Sequence, residues 1–155
     1  MSLEDLRSIA PSELPVVKLI SLIARGQSIY LNRHLQDLGI SSTHFQLLFE
    51  ISNECNINQD GISKRCSINK GSVARSIKKL EDRGLVKREI DENNRRQNKL
   101  SLTPKGEDIL EKSKRILDKW ESEVILEKGY IEKELLQKIL KEIAIKTMEL
   151  NEKEE

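Results

Sequence analysis

The chain has 155 residues with a formal net charge of +1, enough length for one domain with a buried core. Charged residues make up 34% and aromatics 3%, which favours a helical protein over a β-sandwich, whose sheets draw on Tyr, Phe and Trp. No apolar run approaches the roughly 18 residues of a membrane span, and "MSLEDLRSIAPSELP" has acids but no continuous apolar stretch, so it does not read as a signal peptide. Cys55 and Cys66 are too few for a disulfide framework and lack CxxC spacing, so a cytoplasmic, reducing location is expected.

From Ser12 to about Leu38, Val16, Leu19, Ile20, Ile23, Ile29, Leu31 and Leu35 recur at helical spacing, which predicts one long helix with Pro15 in its first turn. Gly39 supplies a stop. Ser41 or Ser42 caps a second helix carrying Phe45, Leu48 and Ile51. A short third helix is predicted over 59–66, with Ile62 and Cys66 inward. After the tight "SIN" connection, Asn69 caps a fourth helix that runs to about Arg83 and ends at Gly84. "LVKREI" and "KLSL" read as two short strands around an exposed polar tip, "DENNRRQN". Thr103 and Pro104 open a fifth helix as cap and first residue, which Gly129 breaks. A sixth, with Leu135, Leu136, Ile139, Leu140 and Ile143, fades into the charged tail.

The charge is unevenly spread. Residues 62–99 hold twelve Lys or Arg against five Asp or Glu, a net +7, which leaves −6 for the rest of the chain. A basic block in an otherwise acidic chain points to a polyanionic partner. On the fourth helix, at about 100° per residue, Val73, Ile77 and Leu80 share the inward face. Gly71, Ser72, Arg75, Lys78, Lys79 and Asp82 lie opposite. Small residues at a helix N-terminus admit it deep into a major groove. Ser72 suits a base edge, Arg75 suits the bidentate contact to guanine, and Lys78 and Lys79 suit phosphates. Two short helices joined by a tight turn, the second basic, make a helix-turn-helix. Arg95 and Arg96 at the hairpin tip suit a narrow minor groove. Together these describe a winged helix over 41–103.

The run "GISKRCSINKGSVARSIKKLEDRGLVKREIDENNRRQNKLSLTPKG" resembles the MarR family (multiple-antibiotic-resistance type) of transcriptional regulators. Its pattern is "LAxxLxxxxxxVxRxVxxLExxGLVxR" followed by "DPxDRRxxxLxLTxxG". Ile62, Cys66, Val73, Arg75, Leu80, Glu81, Gly84, Leu85, Val86 and Arg88 fit it, as do Asp91, Arg95, Arg96, Leu100, Leu102, Thr103 and Gly106. The likeness spans roughly residues 14–150. It implies a mainly α single domain, 1–155, in which a winged helix-turn-helix with a small β-hairpin wing is flanked by dimerisation helices over 12–38 and 104–150. It implies a homodimer on palindromic double-stranded DNA, acting as a repressor, with Lys70, Gly71, Ser72, Arg75, Lys78 and Lys79 on the duplex. Arg96 would enter the minor groove and Arg95 would help at the backbone. The family's Asp before the paired arginines is Asn94 here, which keeps a hydrogen bond but brings no charge.

Members of the family often release DNA on binding a small aromatic or phenolic anion. Arg25, Tyr30, His34 and His44 are the candidates for such an effector: Arg25 for a carboxylate, Tyr30 for a ring. Ordinary surface or core roles compete at each of the four. The alternative within the same fold is a redox sensor using Cys55 or Cys66, although Cys66 stands at an inward position where packing is the simpler role. The histidines and cysteines lack the spacing of a zinc site. No phosphate loop, GxSxG or HExxH is present, so neither catalysis nor a cofactor is expected.

Overall fold

The computed structural model describes residues 1–54, 57–90, 92, 98–126, 129 and 132–153. They form two compact units, Met1–Ile116 and Leu117–Glu155. Among the described residues no helix is long and apolar enough to cross a membrane.

The first unit opens with α1 (Leu3–Ser8), closed by a capping box between Ser2 and Asp5. A 3-10 turn, Pro11–Glu13, follows, and α2 spans Val16–Leu35. The single helix predicted over 12–38 is therefore interrupted at its start. A proline disfavours helical geometry in the residue before it. Leu14 is extended, and Pro15 stands at the cap instead of inside the first turn. A second 3-10 turn, Gln36–Leu38, ends at Gly39 with φ +68°.

α3 (Ser42–Asn53), α4 (Gln59–Cys66) and α5 (Lys70–Asp82) follow, within a residue or two of the predicted spans. Their caps are local. Ser41 accepts from the His44 amide at 3.2 Å, Asn58 from Gly61 at 2.8 Å and Asn69 from Ser72 at 2.8 Å. The α4–α5 turn is tight because Ser67 takes a left-handed φ of 51° and the Ser63 hydroxyl donates to the Ile68 carbonyl at 2.6 Å. β1 (Val86–Ile90) and β2 (Asn98–Leu102) pair antiparallel, Val86 opposite Leu102 and Ile90 opposite Asn98. The Leu100 amide also donates to the Ile57 carbonyl at 2.9 Å, tying the hairpin to the loop after α3. Phe45, Leu48, Ile51, Ile62, Val73, Ile77, Leu80, Leu85 and Leu100 form one buried core under these elements. Their burial fixes which face of α5 is left to solvent.

α6 spans Pro104–Glu121 and passes into a π-helical stretch, Ser122–Leu126, where continuous α-helix was expected. Gly129 has φ +60°, and α7 covers Lys133–Glu152. Among residues 117–125, 129 and 132–153 none is buried.

Candidate nucleic-acid interface

α5 presents the face that its periodicity predicts. Val73, Ile77 and Leu80 are fully buried, while Gly71, Arg75, Lys78, Lys79 and Asp82 are exposed. Ser72 is half-buried. The Arg75 guanidinium folds back along the first turn and donates to the Ser72 hydroxyl at 3.0 Å. It lies over Gly71, where a Cβ would be 3.5 Å from Arg75 Nη1. The guanidinium, the hydroxyl and the bare backbone of Gly71 thus form one small polar patch at the exposed N-terminal end of α5.

The lysines differ in their surroundings. Lys70 pairs with Asp60 at 3.1 Å and Lys78 with Asp82 at 2.7 Å, all four well exposed. The Asp82 hydrogen bond and charge hold the Lys78 ammonium above its ordinary range. Exposed pairs of this kind contribute roughly 0–1 kcal/mol, so a phosphate can replace the carboxylate at little cost. Lys79 has no ion pair among the described residues.

Much of the remaining basic block is engaged within the chain. Arg65 contacts Glu50 and Glu54, Lys87 pairs with Glu89, and Arg88 Nε donates to Glu81 at 2.9 Å. The last pair is three-quarters buried on both sides and ties β1 to α5. Lys87, with Lys99 adding to it, holds the Glu89 carboxyl below its ordinary range. Arg83 reaches back to the carbonyls of Leu38 and Gly39. Composition revealed these cations but not their partners, which lie up to 45 residues away in sequence. Arg95, Arg96 and Asn94 lie outside the described residues.

The effector candidates fall into two groups. On α2, the Tyr30 and His34 rings stack with centroids 3.9 Å apart, and His34 Nδ1 is 2.9 Å from the Tyr30 carbonyl. Arg25 is exposed on the same helix. His44 instead completes the cap of α3: its Nδ1 accepts the Ser41 amide at 3.2 Å. None of the four lines the cleft of about 580 Å³ between the end of α3, the hairpin and the start of α6. That cleft is walled by Glu54, Glu89, Glu107 and Glu111 against Lys99 and Lys114, an acidic balance that disfavours an anion.

The capping role makes His44 pH-sensitive. An accepting Nδ1 must be unprotonated, and burial, then Lys79 and Arg83, push the imidazole below its ordinary value. The unfolded chain therefore takes up this proton first as pH falls. The stability due to His44 is complete above about pH 6.5, the unfolded value, and is lost as pH drops through the lower folded value. Thermal unfolding between about pH 7 and 5 is expected to show this loss in the native chain. It should be reduced in His44→Gln, where a glutamine keeps the capping box without titrating. An unaltered pH slope in the variant would exclude the mechanism.

Cys66 is half-buried, and burial, reinforced by Glu50, pushes its thiol up, away from a reactive thiolate. Cys55 lies outside the described residues.

The MarR family model matches residues 40–97, which run from just before α3 through β1 and stop short of β2. The crystal structure of a MarR transcriptional regulator from Methanosarcina mazei Go1 is 31% identical, with a TM-score of 0.78, covering 87% of this chain and 97% of that one. A crystal structure of MarR has a TM-score of 0.84 at 27% identity, over 94% of this chain and 99% of that one. Among curated proteins, the HTH-type transcriptional regulator YybA of Bacillus subtilis (strain 168) is 29% identical over 94 residues. That match takes in 61% of this chain and 63% of YybA, so the chain spans less than two thirds of that relative's length. The buried face of α5, the paired hairpin and these likenesses agree: the chain belongs to the MarR family of transcriptional regulators.

Proposed function

We propose that the protein is a repressor that binds double-stranded DNA as a homodimer on a palindromic operator. The observation that carries the reading is the outward face of α5. Among the described residues Arg75 there has a hydroxyl but no carboxylate for a partner and Lys79 has no ion pair, and the exposed Gly71 leaves the first turn open. A solvated structural face would spread cations and acids evenly. Here Asp82 stands at the far end of the helix from Gly71 and Arg75. In this reading Lys70, Lys78 and Lys79 hold phosphates, while Ser72 and Arg75 reach base edges. Arg96 enters the minor groove and Arg95 helps at the backbone, the roles that the family resemblance implies.

The dimer rests on apolar surface. Val16, Val17, Ile20 and Ile23 of α2 are 67, 71, 44 and 58% exposed. On α7, Leu135, Ile139, Leu140 and Ile143 are 52, 48, 48 and 41% exposed. Two helical stripes of this kind mark surfaces built for burial against another chain. A two-fold pair sets its reading helices about 34 Å apart, one turn of duplex. The segments 12–38 and 104–150 are therefore assigned to dimerisation and 41–103 to DNA. Release by a small aromatic ligand is part of the proposal, with the Tyr30–His34 stack as the ring surface and Arg25 as the cation. A redox switch at Cys66 is the weaker reading, because its thiol is held protonated.

Arg75→Ala tests the assignment. It should relax preference at one base pair per half-site, costing about 1–3 kcal/mol on the selected site and much less on random duplex. Competition binding against a randomised duplex pool measures both. Equal losses on the two kinds of DNA would remove Arg75 as a base reader.

A further inference from the structure

We infer that Arg83 is a positioning residue for the DNA-reading helix, setting the angle of α5 by fastening its end to the end of α2. The inference rests on the DNA-binding reading above.

Arg83 is the C-cap residue of α5, one position beyond the helix and exposed. Its side chain turns away from the reading face. Nη1 donates to the Gly39 carbonyl and Nη2 to the Leu38 carbonyl at 3.0 Å. These two carbonyls end the helical run that begins with α2. Carbonyls at such an end lack intrahelical donors and carry partial negative charge. A planar guanidinium spans two neighbouring oxygens in one rigid geometry, which an ammonium cannot. Both Nη atoms are already engaged by these carbonyls, which compete with a phosphate for the cation.

Gly39 is shaped to receive it. Its φ of +68° suits glycine, and a Cβ there would lie 2.6 Å from Arg83 Nη2 and 3.0 Å from Nη1 and Cζ. The glycine is needed twice, once for the turn and once for the guanidinium.

The backbone at the same point is tied the other way. Lys105 Nζ donates to the Arg83 carbonyl at 3.1 Å, and the Thr103 hydroxyl donates to the Gly84 carbonyl at 2.6 Å. The start of α6 therefore fixes where α5 stops, and the Arg83 side chain is its link to α2. That helix carries the apolar stripe assigned to the dimer. A rotation of α2 would carry Leu38 and Gly39 with it, and through the guanidinium it would move the C-terminal end of α5.

The test measures affinity of the full-length protein for a selected duplex across a salt series, at a temperature where circular dichroism shows every variant folded. Arg83→Gln is expected to weaken binding about tenfold with the slope of log K against log salt unchanged, and Arg83→Lys should recover part of the loss. A slope lower by about 0.9 would make Arg83 a phosphate contact and overturn the inference. Gly39→Ala, a change outside α5, should cause a similar loss, and the double variant should lose no more than either single one. Additive losses, or unchanged affinity with only a lower melting temperature, would also overturn it. If the native protein binds no duplex, the DNA reading fails by itself. Hydrogen exchange in the free protein then decides on Arg83. The Gly84 and Leu85 amides, which close the end of α5 on the Glu81 and Leu80 carbonyls, should exchange about tenfold faster in Arg83→Gln, and unaltered exchange counts against the fastening.

Discussion

Gly106→Ala is expected to destabilise the fold by about 3 kcal/mol and lower its thermal midpoint by about 10 °C. Helix propensity alone predicts the opposite, since alanine gains about 1 kcal/mol over glycine inside a helix. Packing decides the sign. Gly106 sits in the first turn of α6, where its amide donates to the Thr103 hydroxyl at 3.0 Å. A Cβ at Gly106 would collide with the carbonyl oxygen of Leu85 and stand 2.9 Å from its carbonyl carbon. Leu85 cannot yield. It is fully buried, its amide donates to the Leu80 carbonyl at 2.9 Å, and its own carbonyl accepts from Thr103 at 3.1 Å. Calorimetry or urea unfolding measures the loss; an alanine variant as stable as the native chain would mean that α6 shifts freely on the hairpin.

The second large effect is expected from Ile139→Glu on α7. The residue is 48% exposed in the single chain, so a charge there costs the chain's own fold little. In a two-fold interface the same change buries two carboxylates without partners. A cost of about 2 kcal/mol for each weakens the dimer roughly a thousandfold. Loss of the link between two reading helices then lowers operator affinity by a further factor of about 10²–10⁴. Sedimentation over a concentration series reads the first effect and fluorescence anisotropy the second. A variant that still sediments as a tight dimer would remove the α7 stripe from the interface.

The elements legible in the sequence are those whose signals are local. Asn58, Asn69, Gly84 and the pair Thr103–Pro104 mark ends of helices because a cap acts within three residues. The inward face of α5 follows from period alone. α1 carried a signal too, the "SLED" capping box, but six residues are too few for a periodicity to stand out. The break before α2 was written in Pro15, whose effect on Leu14 outweighs the apolar spacing around it. Other features depend on long-range contacts. Arg83 reads as one more cation of a basic block until Leu38 and Gly39 are brought beside it. The need for glycine at 106 appears only once Leu85 lies against it. The α5 residues of the candidate site were legible for the same local reason, whereas the division of the basic block into engaged and available cations required tertiary structure.

In the function proposed above, the outward face of α5 grips duplex DNA in a two-fold pair. The most direct measurement is anisotropy of a labelled duplex selected from a random pool, titrated with the full-length protein from low to physiological salt, with stoichiometry read by sedimentation. The account predicts two chains per duplex and an affinity that falls steeply and linearly in log salt, as displaced counterions require. One chain running alone, or a duplex left unbound at low salt, would contradict it.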